Sequence, residues 1–446
     1  MTKILTTRGT RRAALIGAAG FLAGCDTLDG ILGTRKQPLP GERRTVMRSD
    51  PELAADSGQE GRAVTLPAPQ PLTDWPQAGG VPSHAAPHAE IPGTLRQAWR
   101  SSIGYGSGYR QRITTGPVIA GGTVYAVDAY GEVTAHALDT GGRRWRRDTA
   151  PEEDRDGAVG GGVAVEGGVV YVATGQAEVL ALSPEDGTVR WRVRVPAPTR
   201  GAPTIAGGRI FVVTVENHLI GLSAEDGRRL WTHRAGAQAT IPLGLPAPAV
   251  EGETVVAGFG TGEMAAVRVT DGRLLWQEGL GNAGATSLSD IVGVTGLPVI
   301  DRGRVFAAGL SNTTIAVDLR SGRRLWERAF GGGNGVASAG DWVFAVTRGG
   351  EAVAVGRNDG RIRWVLELDP TPEGGRRRDA TRFGPPLVAG GLVLVPSSRG
   401  ELLQIDPGAG TIAGRVPLSS GSTLPMAVAQ GTIVVLGDDG TLMALR

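Results

Sequence analysis

The sequence predicts an all-β protein: an eight-bladed β-propeller of four-stranded antiparallel blades, closed by an N-terminal strand that completes the last blade. Three observations predict it: a repeated strand-and-turn unit, a count of eight such units, and an orphan strand ahead of the first. The unit is plain at 207–231. Gly207-Gly208 opens it, apolar runs follow at 210–214 and 218–222, and Asp226-Gly227 leads to Trp231. A second copy runs from Gly303 through Ser321-Gly322 to Trp326. The closing tryptophans Trp99, Trp145, Trp191, Trp231, Trp276, Trp326 and Trp364 lie 38 to 50 residues apart. Repeats of about 40–45 residues with several short strands are what propeller blades require.

Each unit supplies short β-branched and apolar runs separated by Gly, Asp or Pro, the signal of strands joined by hairpins. Asp186-Gly187, Asp226-Gly227, Asp271-Gly272 and Asp359-Gly360 suit tight turns that need positive φ. No sustained 3.6-residue apolar spacing follows the first thirty residues, so helix is not expected. Units open near Gly121, Gly167, Gly207, Gly252, Gly303, Gly340, Gly390 and Gly431. The seventh has Ile412-Ala413-Gly414 where a tryptophan is due, and the eighth ends at Arg446 without an outer strand. The orphan run 95–100 carries Trp99 and is expected to supply that strand, hiding an edge that would otherwise invite aggregation. The tryptophans are expected to wedge between blades.

Composition agrees. Gly makes up 71 of 446 residues, about twice the usual share of roughly 7%, as many tight turns demand. A net charge of +2 argues against nucleic acid, whose binding needs a clustered basic excess. The arginine runs 143–147 and 376–378 stand beside acids such as Glu152, Glu153, Asp154 and Asp379 and read as solvated faces. The single cysteine excludes an internal disulfide and a multi-cysteine metal site.

That cysteine closes an address. Arg8, Arg11 and Arg12 precede the apolar stretch 13–22, and Leu22-Ala23-Gly24-Cys25 follows. A charged start, a short apolar run and small residues at the cut describe a secretory signal over 1–24. With Cys25 in this place the segment resembles the bacterial lipobox, which implies cleavage before Cys25 and acylation there. More than one acyl chain is what stable anchoring takes. Arg11-Arg12 fits either a twin-arginine or a general secretory signal. Asp26 resembles an inner-membrane retention signal of enteric bacteria, a rule that does not hold across all groups. Residues 25–91, rich in Pro, Gly and charge, are expected to form a lipidated flexible tether, leaving 92–446 for the propeller. His84 and His88 fall in that tether with no helix to align them as metal ligands.

The unit, with its Gly–apolar hairpin and Gly-Arg-x-x-Trp ending, resembles the quinoprotein (pyrroloquinoline-quinone-like) repeat, a family of dehydrogenases and non-catalytic scaffolds. Trp99–Gly104 leading to Pro117, 288–291 before Pro298-Val299, and 316–322 look like the propeller lipoprotein of the β-barrel assembly machinery. This resemblance implies a scaffold that docks on a periplasmic domain of the barrel-forming subunit through loops at the middle blades. It also implies a monomer within a hetero-complex on the periplasmic face of the outer membrane, with no cofactor. Asp290 matches an acidic interface residue of the family; the second acid is replaced by Val292, and the arginine of the other loop, 240–246, is missing. The loops stand out without the family as well. Ile241, Leu243, Leu245, Leu288, Ile291 and Val292 are apolar in connections where polar residues are the rule. Leu243, Leu245, Leu288, Asp290 and Ile291 are thus the candidate partner-binding residues, with packing beneath the loops as the alternative.

Two other functions fit a propeller. A quinoprotein-like dehydrogenase needs a Ca²⁺ site of carboxylate and amide oxygens beside the quinone, plus an acid–base residue. Asn217, Asn282, Asn312, Asn334 and Asn358 stand singly in turns, and His136, His218 and His233 are scattered among strands, so no enzyme is expected. A propeller that binds envelope glycan would use rim aromatics, and Tyr105, Tyr109 and Tyr130 are the only local group.

Overall fold

The computed structural model describes residues 53–109, 111–151, 160–237, 244–280, 293–331, 335–369 and 380–446. Among the described residues there is no helix, and the strands form eight four-stranded antiparallel sheets. Seven sheets take consecutive strands. Blade 1, from the axis outward, is Val118–Ala120, Thr123–Val127, Glu132–Ala137 and Arg143–Asp148. Blade 8 draws Ala427–Ala429, Thr432–Leu436 and Thr441–Leu445 from the C-terminus and its outer strand Gln97–Ser102 from the other end of the ring. Trp99 pairs with Ala444 and Ser102 with Thr441. Closure comes from the orphan strand, as its sequence requires.

Position in the blade explains each strand's composition. Most first strands touch their neighbours around the axis, so there is room for only about three residues in most of them. The second strands, such as Thr123–Val127 and Trp342–Val346, are buried throughout because blades cover both of their faces. They read as unbroken apolar runs. Outer strands alternate, and in Arg143–Asp148 Trp145 is the one fully buried side chain.

The closing tryptophan and the Asp-Gly turn are two halves of one joint. Trp231 of blade 3 reaches blade 4, donating from Nε1 to the Val269 carbonyl at 2.9 Å while its ring lies over Gly272. Gly272 has φ +70°, and a Cβ there would sit 2.5 Å from the ring. The Asp271 carboxylate closes the same turn by accepting from the Arg273 amide at 3.1 Å. Trp99 over Gly141, Trp145 over Gly187, Trp276 over Gly322, Trp326 over Gly360 and Trp364 over Gly410 repeat the joint from blade to blade. This explains the missing tryptophan. Gly414 takes that place in blade 7, facing a blade whose outer strand comes from the other end of the chain. Blade 8 has no turn there, hence no glycine for an indole to rest on.

The tether expectation is corrected for 53–91. These residues pack on the propeller, and from Gln70 to Glu90 they form a collar inside the central channel. Leu72 accepts from the Gln430 amide of blade 8 at 2.7 Å. Trp75 exchanges two bonds with Ile119 of blade 1, at 2.7 and 2.8 Å. Pro76 accepts from Val165 of blade 2 at 2.7 Å, and the Gln77 side chain from Ile205 of blade 3 at 3.0 Å. Pro82 and Ser83 accept from Val250 and Ile300 of blades 4 and 5, at 2.7 and 2.8 Å. Ala85 packs on the apolar cluster holding Val336 of blade 6, and Ala89 accepts from Gly390 of blade 7 at 2.8 Å. Gln70 then bonds His88 and Glu90, both at 2.8 Å, so the collar closes on itself.

The composition that suggested disorder is what this geometry uses. The first strand of every blade leaves its axial edge unpaired, and buried backbone groups need partners. Proline suits the task, since it supplies a carbonyl, demands no acceptor for an N–H, and loses little entropy on ordering. Trp75, 4% exposed, supplies the apolar burial.

Candidate functional site

The expected partner-binding residues lie on the connections from the outer strand of one blade to the first strand of the next. Leu243, Leu288, Asp290 and Ile291 fall outside the described residues, as does Cys25. Leu245 is described and is buried, 5% exposed, in the cluster of Phe211, Val213 and Phe259 between blades 3 and 4. Its amide donates to the Arg200 carbonyl at 3.3 Å. Leu245 therefore anchors the end of its loop.

Other connections on this face bring aromatic side chains together. Tyr105, between blades 8 and 1, meets Tyr130 edge-to-face with centroids 4.9 Å apart, and Tyr109 is almost wholly exposed nearby in sequence. Outside the connections, Leu274 and Leu275 are exposed on the outer strand of blade 4, the strand that leads into 281–292. Sequence reasoning missed these two, because the period of an outer strand does not say which residues lack a neighbour.

The centre of the face is a cavity of about 190 Å³ with the collar as its floor. Trp75, Gly79, His84 and Pro87 come from the collar; Thr115, Ala247, Leu297, Ala337, Pro386 and Met426 stand at the entrances to first strands. Among the described residues no lining side chain is a carboxylate or an amide. A quinone with its Ca²⁺ needs such oxygens, so the lining does not fit that group. Asn217 and Asn312 are spent on turns. Each has φ 58°, and their side-chain oxygens accept from Gly260 and Gly331 at 3.1 and 3.0 Å. Among the described residues no three His, Cys, Asp or Glu cluster as metal ligands.

The two collar histidines do separate work. His88 donates from Nδ1 to the Pro67 carbonyl at 2.7 Å and accepts at Nε2 from the Gly391 amide at 2.8 Å. His84 donates from Nδ1 to the Pro298 carbonyl at 2.7 Å, and its Nε2 has no hydrogen-bond partner among the described residues. Burial pushes the His84 imidazole down to about 4, against the partial opposition of that carbonyl. Burial also lowers His136, His218 and His233. The unfolded chain takes up a proton on His84 near its ordinary 6.5, the folded protein only near 4. Stability is therefore expected to be level above about pH 6.5 and to fall toward pH 4, with His84 contributing on the order of 3 kcal/mol. Urea midpoints of wild type and His84→Leu at pH 7.5, 5.5 and 4.5 measure this; equal pH dependence in the two would refute it.

Residues 129–366 match the family model described as outer membrane protein assembly factor BamB. The chain is also 33% identical over 358 residues to the protein of that name from Xanthomonas campestris pv. campestris, covering 78% of this chain and 85% of that one. The chain belongs to the BamB family. A second BamB, from Shigella dysenteriae, is 30% identical over 80% of this chain and 91% of its own length. Among solved structures, BamB from Moraxella catarrhalis superposes with a TM-score of 0.67 at 20% identity, covering 79% of this chain and all of that one. Quinohemoprotein alcohol dehydrogenase from Comamonas testosteroni reaches 0.66 at 14% identity, over 83% of this chain and 80% of that one. At such identities these likenesses carry the fold alone. It is the sequence match that separates this BamB-family propeller from the dehydrogenases that share its ring.

Proposed function

We propose that this protein is a non-catalytic scaffold of outer-membrane protein assembly, held by lipid at Cys25 to the periplasmic face of the outer membrane. As a member of a hetero-complex, it binds the periplasmic domain of the barrel-forming subunit and assists insertion of β-barrel proteins. Family membership is the observation that carries this reading: the match to relatives named for outer membrane protein assembly runs through most of both chains. The apolar residues Leu243, Leu288 and Ile291, with Asp290 among them, supply the surface, and exposed apolar clusters commonly mark protein-binding sites. The buried Leu245 gives the first loop a fixed end. Among the described residues the channel lining holds no carboxylate or amide, which favours a scaffold over a quinoprotein. Added quinone and Ca²⁺ are expected to give neither a chromophore nor dye reduction.

Affinity capture from solubilised envelopes tests the partner: the barrel-forming subunit is expected to co-purify, and its absence in mild detergent refutes the reading. Asp290→Arg combined with Leu243→Ser is expected to weaken capture by about 30-fold, the effect of a lost hot spot of some 2 kcal/mol, with the thermal midpoint unchanged. Undiminished capture would move the interface elsewhere. Cys25→Ala is expected to abolish incorporation of labelled fatty acid and release the protein from the membrane fraction.

A further inference from the structure

The outer rim of blades 4 and 5 carries an inference that rests on the lipid anchor of the proposed function. Leu274 and Leu275 are 42% and 47% exposed at the start of the outer strand Leu274–Gly279 of blade 4. Among the described residues they are the one pair of neighbouring large apolar side chains left in the open. Position in the blade does not require this. Leu230 and Leu325 hold the equivalent place, just ahead of Trp231 and Trp326, and each packs against an apolar cluster between blades. Arginines border the exposed pair. Arg273 precedes it, and the turn 318–323 of blade 5 lies against the adjoining Trp276, which donates from Nε1 to the Leu319 carbonyl at 2.6 Å. Across the turns 268–273 and 318–323, four arginines stand against two aspartates. Asp271 is held by Arg268 at 2.9 Å, and Asp318 by the Ser321 hydroxyl at 2.7 Å. Arg273, Arg320 and Arg323 are exposed and form no ion pair among the described residues. The same side of the ring receives the N-terminal chain. Leu53 packs in the cluster of Trp326 and Val343, and Asp56 accepts from the Ile362 amide at 2.8 Å and from Arg328 at 3.0 Å. Ile362 and Leu274 both begin outer strands, so they share one side of the ring. Cys25 lies 28 positions ahead of Leu53, at most about 100 Å of chain.

We propose that this rim rests on an anionic lipid surface, with the Leu274 and Leu275 side chains among the headgroups and Arg273, Arg320 and Arg323 on phosphates. Apolar side chains bordered by arginine suit such a contact, since the apolar part enters the headgroup boundary and the cations meet anionic lipid. A protein partner fits the pair less well, because the hot spots of protein interfaces favour Trp, Tyr and Arg over Leu. The contact is shallow. The unpaired edge of the strand stays at the wet boundary, where its backbone groups keep their bonds to water. A chain held by lipid at Cys25 enters the ring on this side, and the contact leaves the opposite side, where the outer strands end, free for the proposed partner.

The test follows the full-length chain on vesicles of phosphatidylethanolamine and phosphatidylglycerol. A fluorophore that brightens in apolar surroundings is attached to Leu275→Cys and, for comparison, to Val189→Cys, an exposed position on the outer strand of blade 2. Both are made in the wild-type and Cys25→Ala backgrounds. Labelling of Cys25 itself would show its thiol free and the anchor reading wrong, while the Cys25→Ala chains would still report on the rim. Position 275 is expected to brighten and to be quenched by lipids with a shallow spin label, and position 189 to stay aqueous. In the Cys25→Ala background, Leu274→Ser with Leu275→Ser is expected to weaken vesicle binding about 30-fold. Arg320→Gln with Arg323→Gln is expected to weaken it about 25-fold, an effect that vanishes on phosphatidylcholine vesicles. Thermal midpoints should not move, as for exposed positions generally. A label at 275 that stays aqueous on the anionic vesicles overturns the proposal, and so does equal quenching at 189. Shielding of 275 that appears only when envelope proteins are added makes the pair a protein contact and overturns it too.

Discussion

Trp75→Ala is expected to cost about 3–5 kcal/mol of stability, the range for truncating a large buried aromatic, and deletion of 53–91 is expected to cost more. Trp75 is 4% exposed, packs in the cluster that joins blades 7, 8 and 1, and pairs with Ile119 through both backbone groups. Deletion removes in addition the acceptors for the amides of Val165, Ile205, Val250 and Ile300. These amides would then open onto a widened, wet channel. Hydrogen exchange at Ile119, Val165, Ile205, Val250 and Ile300 should accelerate toward that of open loops, while the second strands stay protected. Urea midpoints give the stability, and exchange mapped by mass spectrometry gives the site. A deletion variant with unchanged midpoint and protection would show the collar to be a passive occupant of the channel.

Gly272→Ala is the second large effect, expected at about 3 kcal/mol or more although only a methyl group is added. The residue has φ +70°, which strains any L side chain by about 1–2 kcal/mol. The new Cβ would also stand 2.5 Å from Trp231 Cε3, and the indole cannot retreat without losing its bond to the Val269 carbonyl. Trp231→Ala by itself should cost about 3–5 kcal/mol. The double variant separates the two causes. In the Trp231→Ala background the clash is gone, so Gly272→Ala should cost only the backbone strain, and the costs should fall short of additive by about 2 kcal/mol. Strict additivity in a double-mutant cycle would show that indole and turn do not act as one joint.

Much of this was legible in the residues. Blade number and turn positions follow from local repeats, because seven of the eight blades are short, self-contained stretches of chain whose strands pair with their sequence neighbours. The closing strand follows from the one place those repeats fall short, an eighth unit without its outer strand. Gly121, Gly167, Gly207 and their counterparts all proved to have positive φ at the hairpin between first and second strands. The collar was not legible. Its bonds join residues such as Gln77 and Ile205, 128 positions apart, and a segment that contributes few apolar groups reads as disordered when judged by its own composition. Leu245 was selected for being apolar in a loop, yet that property is shared by residues offered to a partner and residues pinned beneath a loop. Only the packing around Phe259 separates the two.

By itself the sequence determined the ring: a periodic pattern of turns, strands and tryptophans has one way to bury its sheets. Only the tertiary structure decided what lies at the ring's centre. The axial edges of the eight first strands exist as a set once the blades have closed, and the collar that satisfies them is fixed by where those edges meet in space.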